Sequence, residues 1–467
     1  MNYIKREETG AVILPGGFKK RIIEALGDES EEYFANLQKP PFKGVRTNLL
    51  KAAPRFIGEK LHNLRPAPFC DFGFYTDETG LGNHPLHHAG AFYLQEPSAM
   101  SAVTALSPEK GERVLDACAA PGGKSTQIAS LIGDEGLLVS NEYVFKRTAP
   151  LISNLERLGV KNAVVTSVDV SRLSKNFCGF FDKVLVDAPC SGEGMLRKMP
   201  EIAENWSEEN IRFCAERQAE ILSAAAVALK GGGKLCYSTC TLSYEENVGV
   251  ISDFLRSHPD FKLIPIEKQF GRPAEKRCPT DAENINYARY IFNTDGGEGH
   301  FVALMQREGD YSHVADDIIK PKLKNTPQIS LAKDFLKENF KTDFSESLGY
   351  FHSLGEKVYY SPFTPPLEKS GVVRNGLLLG SAKNGRFMPS HALYSAVGQD
   401  SCKKIDFADD SAEIKRFLHG EEIACQEALK GFVAVLVDGI PLGFGKASNG
   451  RLKNHYPKGL RICASAL

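Results

Sequence analysis

The sequence predicts an α/β protein with a central parallel sheet covered by helices on both faces, preceded by an α+β region and followed by a β-rich region. From residue 112 to 308, short apolar runs alternate with amphipathic segments, a pattern typical of parallel strands joined by helices. Several of these runs end in a glycine-rich turn, an acidic residue or a cysteine. Ligands of open parallel sheets bind beyond the carboxyl ends of the strands, so the sequence predicts a functional site at that edge.

Six apolar runs are predicted to form the strands of this sheet, at residues 112–118, 136–141, 163–168, 183–187, 232–238 and 300–305. Before them, a helical pattern at 18–26 and a strand candidate at 45–50 indicate an α+β region. After them come a polar, lysine-rich stretch at 308–326, a helical pattern at 330–349, and a region rich in short strands and glycine turns. The predicted divisions are therefore 1–95, 96–308, 309–368 and 369–467.

The composition is that of a soluble globular protein, with 467 residues, 42% hydrophobic and 25% charged. No apolar stretch approaches the ~18 residues that a membrane span needs, and the first residues lack the apolar run of a secretory signal. We therefore expect a cytoplasmic protein without a membrane segment. Eleven cysteines at irregular spacing, without a CxxC pair, predict neither disulfides nor a metal site.

The net charge of −1 hides a basic carboxyl end. No acidic residue follows Asp438, whereas five basic residues do: Lys446, Arg451, Lys453, Lys458 and Arg461. Such a segment suits a nucleic-acid partner, although a solvated charged end is the simpler alternative.

The first apolar run leads into the glycine-rich turn 116–124, and a helical pattern follows at 124–132. Gly122 and Gly123 remove the side chains that would block a close ligand, and the first turn of the helix offers free amide hydrogens. The turn matches neither the GxGxxG fingerprint nor the GxxxxGK[ST] phosphate loop. A tight turn without a ligand is the alternative.

The next two strand ends carry carboxylates. Glu142 follows the second strand and is placed to accept both hydrogens of a ribose diol. Asp169 follows the third strand and is placed to bind an adenine amino group. Either acid alone is typical of an exposed loop, but two in succession after such a turn predict an adenosine-type ligand.

Cys190 and Cys240 follow two apolar runs that we interpret as adjacent parallel strands. Two thiols at one cleft predict cysteine-assisted group transfer. Cys118 and Cys236 lie within predicted strands and are interpreted as core residues. The remaining cysteines that we interpret as small buried hydrophobic residues are Cys70, Cys178, Cys214, Cys402, Cys425 and Cys463.

Three motifs in this order, CAAPGGK at 118–124, DAPCSGEG at 187–194 and YSTCT at 237–241, resemble the Nop/Sun-type RNA cytosine-C5 methyltransferases, which use S-adenosylmethionine. The resemblance covers residues 90–308 and includes QEPS at 95–98 and GHFVA at 299–303. Arg46-Thr47-Asn48 and the stretch 453–459 further resemble the bacterial RsmF-like branch, which carries a carboxy-terminal PUA-like domain.

The resemblance implies a Rossmann-like methyltransferase sheet, an N-terminal RNA-binding region and a C-terminal PUA-like β-barrel. It implies that Cys240 attacks carbon 6 of cytosine, that Cys190 assists resolution of the covalent adduct, and that Asp187 binds the amino group and ring nitrogen of the base. Lys124 is then expected near the methionine end of the cofactor or the reacting base. The residues expected to bind S-adenosylmethionine are Cys118, Ala119, Ala120, Pro121, Gly122, Gly123, Lys124, Glu142, Arg147, Asp169 and Asp187.

The expected partner is RNA, most specifically 16S ribosomal RNA or the small ribosomal subunit, bound by a monomer through an unpaired or flipped cytosine. Residues 197–199, His300 and Phe301 are candidates for the RNA entrance, with a surface loop and a core strand as the alternative. Three other functions stay open from the residues: a tRNA methyltransferase, a small-molecule enzyme on the same fold, and a noncatalytic RNA-binding assembly factor.

Overall fold

A computed structural model describes residues 14–274, 282–309, 325–344, 349–361 and 371–462 of the chain. The N-terminal region combines four helices with a small antiparallel sheet in the strand order β2-β3-β1-β4. Its helices are α1 (Gly16–Leu26), α2 (Ser30–Leu37), α3 (Pro54–Lys60) and α4 (Pro85–His88), and its strands are β1 (Gly44–Thr47), β2 (Arg65–Pro66), β3 (Gly73–Tyr75) and β4 (Phe92–Leu94).

The central region contains the helices and strands of the predicted α/β fold. Its helices are α5 (Ser101–Leu106), α6 (Gly123–Ile132), α7 (Thr148–Arg157), α8 (Val170–Asn176), α9 (Glu201–Glu204), α10 (Glu208–Ala226) and α11 (Val250–Ser257). Its strands are β5 (Arg113–Asp116), β6 (Leu137–Asn141), β7 (Ala163–Thr166), β8 (Phe181–Asp187), β9 (Leu229–Thr239), β10 (Phe261–Leu263), β11 (Arg272–Pro273), β12 (Arg289–Ile291) and β13 (His300–Arg307). All six predicted strands are therefore present.

Five of these strands are parallel and adjacent, in the order β9-β8-β5-β6-β7. β13 lies antiparallel to β9 and extends the sheet. The order reverses at β5, since β6 lies on one side of it and β8 on the other. Crevices at such reversals are where α/β sheets bind their ligands. Buried aliphatic and aromatic side chains form a core on each face of the sheet. This packing fixes the positions of the strand ends at the carboxyl edge.

The C-terminal region contains two further sheets. Its helices are α12 (Pro327–Asn339), α13 (His391–Val397) and α14 (Ala412–His419), and its strands are β14 (Tyr350–Leu354), β15 (Lys357–Ser361), β16 (Val372–Asn375), β17 (Leu377–Lys383), β18 (Arg386–Pro389), β19 (Lys404–Phe407), β20 (Ile423–Ala424), β21 (Gly431–Val437), β22 (Ile440–Ser448) and β23 (Arg451–Asn454). One sheet has the order β14-β15-β17-β18, and the other has the order β19-β21-β22-β23-β20.

The predicted division at 368/369 differs from this arrangement. β15 and β17 lie on opposite sides of that point but pair in one sheet, so the division runs through a structural unit. The predicted C-terminal division 369–467 includes β16, yet this strand pairs antiparallel with β7 at the edge of the central sheet. A short strand placed there covers hydrogen-bonding groups that an open sheet leaves exposed. Most of the linker at 308–326 lies outside the described residues.

The N-terminal and C-terminal regions share one hydrophobic core. In this core, Val45, Ile57 and Phe92 from the N-terminal region pack with Phe417 and Leu442 from the C-terminal region. Among the described residues, no helix is both long and apolar enough to span a membrane.

Candidate active site

The two predicted thiols lie side by side beyond the carboxyl ends of β8 and β9. Because these strands are parallel neighbours, with Asp187 opposite Ser238, the loops that follow them leave the sheet at the same edge. The Sγ atoms of Cys190 and Cys240 are 3.3 Å apart. The hydrogen bond to Cys240, together with burial, raises the pKa of the Cys190 thiol. The Cys190 thiol is thus placed to donate its proton to the Cys240 sulfur, although the geometry allows either sulfur to be the donor.

A buried carboxylate, that of Glu246, holds both cysteine loops. It accepts a hydrogen bond from the backbone N–H of Ser191 at 2.9 Å and another from the hydroxyl of Ser191. It also accepts one from Thr241 Oγ1 at 3.2 Å and one from Gln218 Nε2 at 2.8 Å. Ser191 and Thr241 each directly follow one of the two cysteines, so this one side chain fixes the separation of the thiols. The sequence motifs did not indicate this residue.

Asp187 and Lys124 form an ion pair beside the thiols, with Nζ 2.8 Å from Oδ2. Ser238 Oγ donates to the other carboxylate oxygen at 2.7 Å. Burial opposes both charges, but the ammonium group outweighs it and lowers the pKa of Asp187. In the same way, burial opposes but Asp187 raises the pKa of Lys124. Both groups are therefore charged at neutral pH, and the role of Asp187 in base recognition stays a prediction.

The glycine-rich turn lies between β5 and α6, on the other side of this cleft. Gly122 has a φ of +107°, a left-handed conformation that favours glycine. A Cβ there would also lie only 3.1 Å from Leu151 Cδ1. No side chain caps α6, so the first-turn amides of the helix face the turn. Arg147 Nη2 and Asn154 Nδ2 hold the turn by donating to the carbonyls of Ala120 and Pro121, at 3.0 and 2.9 Å.

The two acids predicted for an adenosine-type ligand lie at the ends of β6 and β7. Glu142 is buried, accepts the backbone N–H of Val144 at 2.9 Å, and has Arg147 Nη1 3.4 Å from its other oxygen. Asp169 caps α8 by accepting the N–H of Ser171 at 2.9 Å. Hydrogen bonds from Ser171, its hydroxyl above all, lower the pKa of Asp169. The arrangement leaves acceptor capacity on both acids along one edge of the sheet, which suits a ribose and a base.

Asp116 is a further acid, at the end of β5, that the sequence motifs do not predict as a site residue. Burial raises its pKa to about 7. Ser125 Oγ donates to Oδ2 at 2.6 Å, whereas Oδ1 is buried without a hydrogen-bond partner. A buried unpaired acceptor in this position suits a donor group on a ligand, such as the ammonium group of an amino-acid moiety. The residues present therefore fit S-adenosylmethionine.

The Arg46-Thr47-Asn48 motif of the N-terminal region contacts the central region next to the glycine-rich turn. Arg46 is buried and donates to the carbonyl of Gly123 at 2.5 Å and to Thr126 Oγ1 at 2.7 Å. Asn48 Nδ2 donates to the carbonyl of Leu158 at 2.9 Å. These side chains join the N-terminal region to the central one, so their position in the fold is that of supports for the glycine-rich turn.

The candidates for the RNA entrance divide into two groups. Arg197 is buried, with Nε 2.7 Å from Glu298 Oε2, and Phe301 belongs to the core, as the alternative interpretation expected. Met199 is exposed. His300 is buried next to Asp187, with Nε2 4.0 Å from Oδ1. A buried ion pair and a core strand therefore account for two of these residues.

The remaining cysteines are partly as expected. Cys70 and Cys236 are buried, but Cys178 and Cys402 are exposed, contrary to the prediction. Cys118 is partly buried, and burial raises the pKa of its thiol. Cys463 lies outside the described residues. The described cysteines form no disulfide, and the described part of the chain contains no cluster of metal-ligating side chains.

Four family models match successive parts of the chain. Residues 103–306 match the family described as 16S rRNA methyltransferase RsmB/F. The flanking matches are to the N-terminal domain of 16S rRNA methyltransferase RsmF at 14–97, the RsmF rRNA methyltransferase first C-terminal domain at 334–397, and the methyltransferase RsmF PUA domain at 404–462. They confirm the predicted Rossmann-like methyltransferase fold with a C-terminal PUA domain.

Curated relatives are similar over nearly the whole chain. Ribosomal RNA small subunit methyltransferase F of Shewanella piezotolerans is 32% identical over 92% of this chain and 93% of its own. The protein of the same name from Aeromonas hydrophila is 33% identical over the same shares.

Among solved structures, a methyltransferase homolog protein from Pyrococcus horikoshii is 30% identical, with a TM-score of 0.56, over 62% of this chain and 94% of its own. The structure of NSun6 from the same organism, with SFG, has a TM-score of 0.55 at 22% identity, over 63% of this chain and 99% of its own, and shows the same fold. S-adenosylmethionine is the cofactor that this family membership and the turn geometry support. The chain belongs to the ribosomal RNA small subunit methyltransferase F family of RNA methyltransferases.

Proposed function

We propose that this protein transfers a methyl group from S-adenosylmethionine to carbon 5 of a cytosine in 16S ribosomal RNA, through a transient bond between Cys240 and carbon 6. The observation that carries the proposal is the contact of 3.3 Å between the two thiols, next to the Asp187–Lys124 ion pair. The names of the relatives support ribosomal RNA as the substrate. We further propose a cytoplasmic monomer that needs no metal and meets its substrate on the small ribosomal subunit.

The chemistry follows from the weakness of carbon 5 of cytosine as a nucleophile. The Cys240 thiolate adds to carbon 6, and the electron pair of the 5,6 double bond becomes available at carbon 5. The Gly122 turn, Glu142 and Asp169 would hold S-adenosylmethionine, which would supply an electrophilic methyl group. As carbon 5 bonds to this methyl group, the bond from methyl to sulfur would break and S-adenosylhomocysteine would be the leaving group. Carbon 5 then loses its proton to solvent or a base, the carbon–sulfur bond breaks, and Cys240 leaves as a thiolate. Asp187 holds the amino edge of the base throughout.

The experiment that tests this function uses the full chain, methyl-labelled S-adenosylmethionine, and small ribosomal subunits from cells that lack the protein. We expect label in 5-methylcytosine after nucleoside digestion, and bisulfite sequencing of cellular RNA to map the position. Purified 16S RNA and tRNA serve as parallel substrates. Label in tRNA alone would favour a tRNA enzyme, and the absence of label from every RNA would contradict the proposal and favour a noncatalytic binding protein.

We expect Glu246→Ala to slow methyl transfer by about 10- to 100-fold, because removal of the carboxylate leaves buried donors unpaired at about 1–3 kcal/mol each and frees both cysteine loops. Glu246→Gln keeps an acceptor for Ser191 and Gln218 and is expected to retain most activity. Asp182→Ala is the matched control, since Asp182 accepts the N–H of Arg113 far from the thiols, at the amino edge of the sheet. Equal losses in Glu246→Ala and Asp182→Ala would contradict the positioning role.

A further inference from the structure

His300 is a buried histidine that the chemistry above does not use. It begins β13, whose next residue pairs with Thr239 at the end of β9, so the backbone places it beside the loop of Cys240. Its side chain is only 3% exposed, and its Nε2 lies 4.0 Å from Asp187 Oδ1. Histidine at this point therefore forms part of the wall of the catalytic cleft.

The glycine before His300 makes this placement possible. Gly299 lies against Gly194 of the Cys190 loop, so closely that a Cβ on Gly299 would come within 2.5 Å of Gly194 Cα. Gly299 also has a φ of +153°. Two glycines in contact let the start of β13 approach the loop of Cys190, which brings His300 next to Asp187.

The imidazole has one satisfied nitrogen and one free nitrogen. Its ring donates to the carbonyl of Gly299, whereas Nε2 is buried without a hydrogen-bond partner. Burial and the charge of Lys124 lower the pKa of His300 to about 4, so the ring is neutral at physiological pH. With its proton on the nitrogen that faces Gly299, Nε2 is a bare acceptor.

Two acceptors therefore face each other across 4.0 Å, Nε2 of His300 and Oδ1 of Asp187. Lys124 does not fill this gap, because its ammonium bonds the other oxygen, Oδ2. The group that suits the gap is a donor with two hydrogens on one nitrogen, which can bond both acceptors at once. The 4-amino group of cytosine is such a donor, whereas uracil has an acceptor oxygen at the same position.

We propose that His300 Nε2 and Asp187 Oδ1 together accept the two hydrogens of the 4-amino group of the target cytosine, so that His300 is a specificity-determining residue for cytosine. The inference rests on the proposed function, since it concerns how the methyltransferase site recognises the target cytosine. Uracil would place three acceptors together and leave the imidazole nitrogen unpaired, whereas Asp187 Oδ1 would keep only its hydrogen bond from Ser238. Sites that hydrogen-bond a substrate group discriminate strongly against analogues that lack it.

The test compares two RNAs and three proteins. The RNAs are 16S RNAs assembled into small subunits that carry, at the position mapped by bisulfite sequencing, either cytosine or pyrimidin-2-one, which has hydrogen in place of the amino group. The proteins are wild type, His300→Phe, which keeps a ring without acceptors, and His300→Gln, which keeps an acceptor oxygen. Single-turnover methyl transfer and S-adenosylmethionine affinity are measured for each.

We expect His300→Phe to slow methylation of the cytosine RNA by about 10- to 100-fold and to leave the rate on the pyrimidin-2-one RNA and the cofactor affinity unchanged. His300→Gln should recover part of the cytosine rate. Equal slowing on both RNAs, or no slowing on either, would overturn the role of His300. The wild-type reactions report separately on the proposed function, because wild type that modifies neither RNA contradicts methylation itself.

His258→Phe is the matched control for the loss of an imidazole. His258 stacks on Phe254 beyond the end of α11, away from the thiols. We expect this variant to match wild type on both RNAs. If His300→Phe unfolds, as thermal melting would show, the two rates of His300→Gln decide: slowing on the cytosine RNA alone supports the acceptor role, and equal slowing on both RNAs, or none on either, overturns it.

Discussion

Cys240→Ala is expected to abolish methyl transfer while the affinity for S-adenosylmethionine stays at the wild-type value. Without the sulfur, no bond forms at carbon 6, and carbon 5 remains too poor a nucleophile to accept a methyl group. In a protease that forms a covalent intermediate, loss of the nucleophile costs on the order of 10⁶ in rate, so we expect activity below detection. Cofactor affinity is preserved because the Gly122 turn and Glu142 belong to β5, β6 and the segments after them.

Calorimetric titration measures the affinity of the variant for S-adenosylmethionine, and a single-turnover assay measures its rate of methyl transfer. Cys236→Ala is the matched control: it removes a thiol from β9, four residues before Cys240, where Sγ is buried and donates to the carbonyl of Ala102 at 3.3 Å. We expect that variant to lose some stability and to keep its activity. Full activity in Cys240→Ala would reject the assignment of the nucleophile.

The alternative assignment exchanges the two thiols. If Cys190 were the nucleophile, Cys190→Ala would form no adduct and Cys240→Ala would be the variant that traps one. We assign the nucleophile to Cys240 because the motif YSTCT at 237–241 resembles that of the RNA cytosine-C5 enzymes. The contact of 3.3 Å between the sulfurs is compatible with either assignment, so the two alanine variants decide between them.

The backbone of the site follows from sequence patterns because those patterns are local. An apolar run followed by a turn and a helical pattern defines β5, Gly122 and α6, and the same reasoning places Cys190 and Cys240 at neighbouring strand ends. The alternation of strands and helices then predicts that the strands in the centre of the sheet are parallel. These features depend on residues close together in the chain.

The missed features depend on contacts between distant segments. Glu246 contacts Ser191, 55 positions earlier, and no spacing rule relates them. β16 joins β7 across more than 200 residues of chain, and its composition alone suits either sheet. Charged residues such as Arg197 and Glu298 are predicted from sequence to lie on the surface. Both side chains are nevertheless buried, because each offsets the charge of the other. For Glu246, the sequence contains only a weak signal, which is its position a few residues after the motif that contains Cys240.

Cys190→Ala is expected to trap the RNA on the protein as a covalent adduct through Cys240. In wild type, the Cys190 S–H lies within hydrogen-bond distance of the Cys240 sulfur, at 3.3 Å, and is placed to stabilise that sulfur as it departs from carbon 6 as a thiolate. Alanine leaves a departing thiolate without a donor in a partly buried site. Release then slows more than transfer, because the methyl group is already on the base when the carbon–sulfur bond must break.

The adduct is measured as a slowly migrating band on a denaturing gel that protease digestion removes, with labelled RNA and S-adenosylmethionine present. Cys190→Ser is the informative companion, since its hydroxyl restores a donor at the same position and should release more product than alanine. The double variant Cys190→Ala with Cys240→Ala should form no band, because the sulfur that bonds the base is gone. A band that persists in the double variant would place the covalent bond on another residue. Rapid release by Cys190→Ala would show that the second thiol serves only to pack the cleft.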